Sequence, residues 1–297
     1  MQGVRRIMTR SDTRISKPRL LGRSRLDNAA VTVFLALLGL FIAIPFIFAL
    51  LQSFKPIEEM FTFPPRFYVV NPTFENYTEI TRLMGNSMLP LSRFIFNSSS
   101  VSIFVTATHV FIASMAAFPL AKFKFPGSKA IFNLVVVALL FTYEVTWLPM
   151  FIIMSRLNFI NTYFAIILPA LATPLGLFLM RQFMQVIPDA MLESARIDGA
   201  SNFMTYLRIA MPQSKPAWMT LVIFSFQGIW NREGAEYIYN VELKMLPTIL
   251  KQMASGGIAR AGAAAAVAVL LMIPPMLIFI FSQSKVIETM AYSGIKE

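Results

Sequence analysis

Apolar and polar residues in this chain come in long blocks. Six apolar blocks, at 29–51, 94–120, 130–154, 163–180, 217–230 and 261–281, dominate the sequence. A helix needs roughly 20 mostly apolar residues to cross a bilayer, so the pattern predicts an all-α integral membrane protein with six crossing helices. Block 94–120 carries one ionisable residue, His109, and block 130–154 carries one, Glu144. Block 163–180 is short. Block 217–230 is shorter still and runs into Asn231-Arg232-Glu233. The first block is too long, and the basic segment before it too extended, for a cleaved leader, so a retained helix is expected.

Between the fourth and fifth blocks lies a polar island, residues 185–216. Pro188 and Asp189 predict a helix start, with the aspartate side chain capping free N–H groups. Residues 190–197 then make about two turns, and Gly199 ends them by accepting a left-handed backbone. Ser201 is placed to cap a second helix running to about Ala210, where Pro212 helps to stop it. Such a hairpin offers Glu193 and Arg196 to solvent or to a partner. The plainer alternative is an amphipathic loop lying on lipid headgroups.

Composition supports the membrane reading. The chain is 56% hydrophobic and 14% charged, with mean hydropathy +0.63, whereas soluble domains carry about a quarter charged residues. Without cysteine, no disulfide framework or thiolate metal site can form, and a single histidine disfavours a His-based zinc site or a Ser-His-Asp triad. No metal site and no catalytic residue is expected. The net charge of +11 does not indicate nucleic acid, because eight of the 26 basic residues lie in the first 25 positions, where they anchor a membrane protein in the cytosol. With that end inside, 17 of the 26 fall on the inner face. Both termini and the 185–216 island are therefore expected in the cytosol. Residues 52–92, rich in Pro, Phe and Asn, should form a packed outer loop with short helical pieces.

Two groups of residues carry candidate chemistry. Glu144 sits ten residues before the outer end of its block, about 15 Å deep in a continuous helix. It either lines a solute pathway or a subunit contact, or is held by a structural hydrogen bond near Pro149; a carboxylate at that depth needs a polar cavity or a partner. His109, beside Thr106 and Thr108, reads as a packing histidine. Trp230, Asn231 and Tyr237 have the chemistry of a sugar site, aromatic faces for C–H surfaces and a polar group for hydroxyls. Arg232, Glu233 and Glu236 could recognise a charged sugar, contact a partner protein or pair with one another. The nineteen methionines read as packing.

Glu193-Ser-Ala195, three residues, Gly199, nine residues and Ile209-Ala-Met-Pro212 together resemble the EAA loop of ABC importer permeases. The spacing matches in full; Ser194 and Met211 replace the usual Ala and Leu. Other segments resemble the carbohydrate-uptake, MalG-type branch, among them Glu75-Asn76-Tyr77, Asn97-Ser98, Ala117-Phe-Pro-Leu-Ala-Lys122 and Arg181-Gln182-Phe183. That branch also has Trp-Asn at 230–231, but is more apolar where this chain has Arg232, Glu233 and Glu236.

The resemblance implies a MetI/MalG-like fold with a basic segment 1–28, a six-span permease domain 29–283 and a tail 284–297. It implies that Glu193, Ala195, Asp198, Gly199, Ala200, Ile209 and Pro212 couple the chain to an ATPase, with Glu193 contacting a basic group and Gly199 setting the turn. Glu144, Trp230, Asn231, Arg232 and Tyr237 are the substrate-pathway candidates. The implied partners are a second, MalF-like permease subunit, two ATPase subunits, an extracytoplasmic sugar-binding protein and the lipid of a bacterial inner membrane, with no nucleic acid. The chain lacks a Gly-x4-Gly-Lys-Ser/Thr loop, so ATP and Mg are expected on the partner ATPase, with no cofactor on this chain. The implied cargo is a sugar, an oligosaccharide first, with glycerol phosphates as the alternative; a stand-alone secondary transporter is the alternative from another class.

Overall fold

The computed structural model describes residues 25–85, 89–255 and 257–293. The basic residues Arg5 to Arg23, on which the orientation argument leans, lie outside the described residues, as do 294–297 of the tail. Among the described residues every regular element is helical. In chain order these are α1 (Arg25–Ser53), α2 (Ile57–Met60), α3 (Glu75–Gly85), α4 (Leu91–Lys122), α5 (Ser128–Ala138), α6 (Tyr143–Arg156) and α7 (Phe164–Leu171). There follow α8 (Pro174–Val186), α9 (Asp189–Ile197), α10 (Asn202–Thr205), α11 (Met211–Gln213), α12 (Lys215–Trp230), α13 (Leu246–Ala254) and α14 (Ala261–Ser293).

The chain divides into two compact units, Met1–Ile47 and Phe48–Glu297. α1 is long and apolar enough to cross a membrane, and its Leu37, Leu40 and Phe41 side chains are exposed. The second unit is organised on α4, which packs against α7, α8, α12 and α13, while α12 also packs on α14. Small and polar residues, Ser98, Ser102, Ala113, Ser114 and Ala117, are fully or nearly buried along α4, so its neighbours approach closely.

Four described helices are long and apolar enough to cross a membrane, and a fifth span is reached if one bent pair is counted. Two of the six expected spans are not single helices of spanning length. Block 130–154 is not one helix: α5 and α6 meet at 109° across Leu139–Thr142. Thr142 is extended (φ −81°, ψ 162°), which breaks the helical path before α6 begins. The fifth block forms α12, only 16 residues, or about 24 Å at 1.5 Å per residue, shorter than the hydrocarbon core.

Between α7 and α8 a second break falls at Ala172–Thr173. Pro174 forces Thr173 out of the helical region, and its ψ is 121°. The described part of the 52–92 segment carries short helices, as expected. Asn76 Nδ2 donates to Ser53 O and Lys55 O at 2.9 Å each, and Tyr77 donates to Ser53 Oγ at 2.8 Å. Glu59 accepts the Val70 and Asn71 N–H groups, which holds its carboxyl below the usual range.

Candidate functional site

The polar island folds as a clamped elbow. α9 begins at Asp189, but no side chain caps it. The expected capping role of Asp189 is corrected here: its carboxylate accepts from Lys122 Nζ at 2.8 Å. The same ammonium, whose side chain is 5% exposed, also donates to Gln185 O at 3.3 Å and to Ile187 O. A charge held that tightly attracts the carboxylate away from the N–H groups, and it keeps Asp189 below the usual carboxyl range.

The other end of α9 closes as a complete Schellman motif. Ala200 N–H reaches Ala195 O at 2.9 Å and Gly199 N–H reaches Arg196 O at 3.0 Å, with Gly199 left-handed at φ +86°. Asp198, exposed, is the residue between the last helical turn and the glycine. Ser201 Oγ then accepts the Met204 N–H at 3.2 Å, the expected cap.

The second arm differs from the expectation at Pro212, which does not stop it. Residues Tyr206–Ala210 form a π turn, Met211 N–H bonds back to Tyr206 O, and α11 continues to Gln213. The widened turn gives the proline ring room against the preceding carbonyls, so the helix passes through it and ends at Ser214.

This elbow is buried on one side and bare on the other. Leu192, Tyr206 and Ala210 pack with Ala117, Phe118, Met184 and Leu221, with Ile209 against them. The Tyr206 hydroxyl lies 2.7 Å from Ser114 Oγ of α4. The outward side presents Glu193, and Arg196 with its guanidinium 5.5 Å from the Phe123 ring. Two aliphatic side chains are almost fully bare, Val186 at 82% and Ile197 at 85% exposure. The elbow is thus rigidly tied to α4, α8 and α12 and carries an unpartnered apolar and acidic surface.

At the other end of α12, cavities meet at one residue. A cavity of about 500 Å³ is lined by Tyr143, Thr146, Trp147 and Met150 of α6, Thr173 to Leu175 at the α7–α8 break, Arg232 and Tyr237. A narrower one of about 180 Å³ reaches His109, Ser225 and Gly228, again with Arg232 in its wall. The third, about 530 Å³, is lined by Tyr143, Asn231, Arg232, Glu233 and Glu236. Both helix breaks therefore border the same space.

The structure brings Asn231, Arg232 and Tyr237 to these cavities. Tyr237 is mostly core, 1% exposed, with its ring stacked 6.1 Å from Phe151. Trp230 lines none of the three. It is 3% exposed, stacks on Phe226 and donates from Nε1 to Leu271 O at 3.0 Å.

Glu144 lines none of them either. Its expected depth of ten residues inside a helix is corrected: it is exposed in the first turn of α6, because the chain bends just before it. A carboxylate there complements the positive end of the helix.

His109 is satisfied. Its Nε2 lies 3.3 Å from Thr173 O and its Nδ1 2.6 Å from Ser225 Oγ. A carbonyl only accepts, so Nε2 carries the proton and Nδ1 accepts from the serine in the neutral ring. Gly176 lets the ring in: a Cβ there would stand 2.5 Å from Nε2.

Tyr143, Trp147 and Thr173 were missed by sequence reasoning. The available signal was Tyr143 and Trp147 four residues apart, on one face of a helix.

Residues 91–290 match the family described as the binding-protein-dependent transport system inner membrane component, and both the elbow and the cavities fall within that match. The chain belongs to this family. The chain is similar to the putative ABC transporter permease protein ORF2 of Caldicellulosiruptor sp. (strain Rt8B.4), 31% identical over 274 residues, covering 89% of this chain and 95% of that protein. The arabinooligosaccharides transport system permease protein AraQ of Bacillus subtilis (strain 168) is 30% identical over 272 residues, covering 90% of this chain and 95% of its own. Among solved structures, a bacterial ABC transporter involved in the import of the acidic polysaccharide alginate has a chain of like fold. The TM-score is 0.72 at 20% identity, over 88% of this chain and 98% of that one. The protein is an ABC transporter permease, and the EAA spacing that suggested this sits on the clamped elbow.

Proposed function

We propose that this permease is one half of a heterodimeric importer for oligosaccharides in a bacterial inner membrane. The observation that carries the reading is the elbow, a rigid hairpin whose inner side is locked to α4, α8 and α12 and whose outer side is bare. An ATPase subunit docks on that outer side. There Glu193 meets a basic group and Val186 and Ile197 enter an apolar cleft, while Gly199 fixes the angle between the arms. ATP and Mg bind on two such ATPase subunits. Their closure moves the elbow as a lever, and the helices tied to it switch the pathway between inward-open and outward-open states.

In this arrangement α1, α4, the bent α5–α6 pair, α7 with α8, α12 and α14 make six crossings, with both termini and the elbow in the cytosol. The oligosaccharide, delivered by an extracytoplasmic binding protein, passes the cavities around Arg232, between this chain and a second permease subunit. The name of AraQ supports an oligosaccharide over a smaller solute.

The native chain has no cysteine, so Ile197→Cys supplies a single crosslinking site on the elbow. The expected result is a crosslink to the ATPase subunit that changes in yield with ATP. A crosslink only to lipid or to the second permease would overturn the docking assignment.

A further inference from the structure

The cavities join at Arg232, whose guanidinium has no ion-pair partner among the described residues. Its two acidic neighbours are engaged elsewhere: Glu233 Oε1 lies 2.6 Å from Lys251 Nζ, and Glu236 Oε1 accepts the Tyr143 hydroxyl at 2.7 Å. The Arg232 guanidinium forms no ion pair and no side-chain hydrogen bond among the described residues. Its one contact of note is the face of the Tyr143 ring, 5.5 Å from Cζ. The glutamates line only the cavity at the end of α12; in the walls of the other two, Arg232 is the single charged residue.

A half-buried cation in an apolar wall is costly unless an anion completes it. A guanidinium is shaped for two-point contact with a carboxylate. Tyr143 and Trp147 beside it offer ring faces to a saccharide. We infer that Arg232 is the anion-recognising residue of the pathway and that the cargo is an oligosaccharide bearing carboxylates, a uronate-containing chain. This rests on the oligosaccharide reading above.

The test uses the complete transporter in proteoliposomes with its binding protein. It measures ATP-dependent uptake of uronate trisaccharides, of their neutral methyl esters and of glycerol 3-phosphate, for wild type, Arg232→Gln and Arg232→Lys. The wild type should prefer the acid over its ester. Arg232→Gln should lower that preference by about 10- to 100-fold, as loss of a charge-assisted hydrogen bond does, and Arg232→Lys should restore part of it. Equal loss for acid and ester in both variants would overturn the role of Arg232 and leave the oligosaccharide reading intact. Wild-type uptake of glycerol 3-phosphate but of no saccharide would overturn the uronate assignment together with that reading.

Discussion

Lys122 Nζ at the end of α4 lies 2.8 Å from Asp189 Oδ1 in the first turn of α9. This contact fastens the elbow to α4, the 32-residue helix on which the second unit is organised. The ammonium is buried and reaches two backbone carbonyls as well, while the carboxylate is 75% exposed. The two partners are therefore unequal.

Replacing the lysine strands three acceptors, whereas replacing the aspartate removes one screened, exposed charge. Lys122→Ala should weaken the elbow attachment by about 1–3 kcal/mol, read as faster proteolysis within 185–216. Asp189→Asn should change it far less. Because the folded-state value of Asp189 is depressed, its contribution is complete above the ordinary carboxyl range and is lost as pH falls below about 4. Acidification of the wild type to that range should therefore mimic Asp189→Asn and not Lys122→Ala.

Gly199 supplies a second prediction. Nothing lies within 4 Å of a Cβ built there, so its left-handed φ of +86° is the whole constraint. Gly199→Ala should cost about 1 kcal/mol, Gly199→Asn less, and Gly199→Val more, following left-handed preference and not size. Coupling of ATP hydrolysis to transport should fall in the same order. Equal effects of Asn and Val would mean that a partner surface, not the backbone, selects glycine.

Trp230 gives a third. Trp230→Phe keeps the ring packing on Phe226 but removes the donor to Leu271 O. A loss of about 1 kcal/mol in thermal stability is expected, with substrate preference unchanged. A shift in preference without loss of stability would return the residue to the sugar pathway.

The elbow was legible in the sequence because its devices are local. A glycine, a serine cap and a proline start each act within a few residues, and the structure forms all three. What escaped was long-range. Asp189 follows a lysine 67 residues away, and Trp230 a carbonyl 41 residues on, which no local rule reveals. The α5–α6 bend escaped for a different reason. Leu139–Thr142 contains neither glycine nor proline, so an apolar run was read straight through a 109° turn, and Tyr143 and Glu144 were assigned to the interior of a helix that starts beside them. Arg232 was named from its departure from the family pattern, but only the structure shows its two glutamate neighbours bonded to Lys251 and Tyr143 and not to it.

The most direct test of the account is the substrate-stimulated ATPase activity of the reconstituted complex carrying Glu193→Ala. Glu193 is exposed, and no ion pair holds it among the described residues, so the substitution leaves the fold of this chain without a lost contact. With insertion checked by its yield in the membrane fraction, stimulation should drop by about 10-fold or more, the scale of one charge-assisted contact. Stimulation at the wild-type level would contradict the elbow as the coupling element.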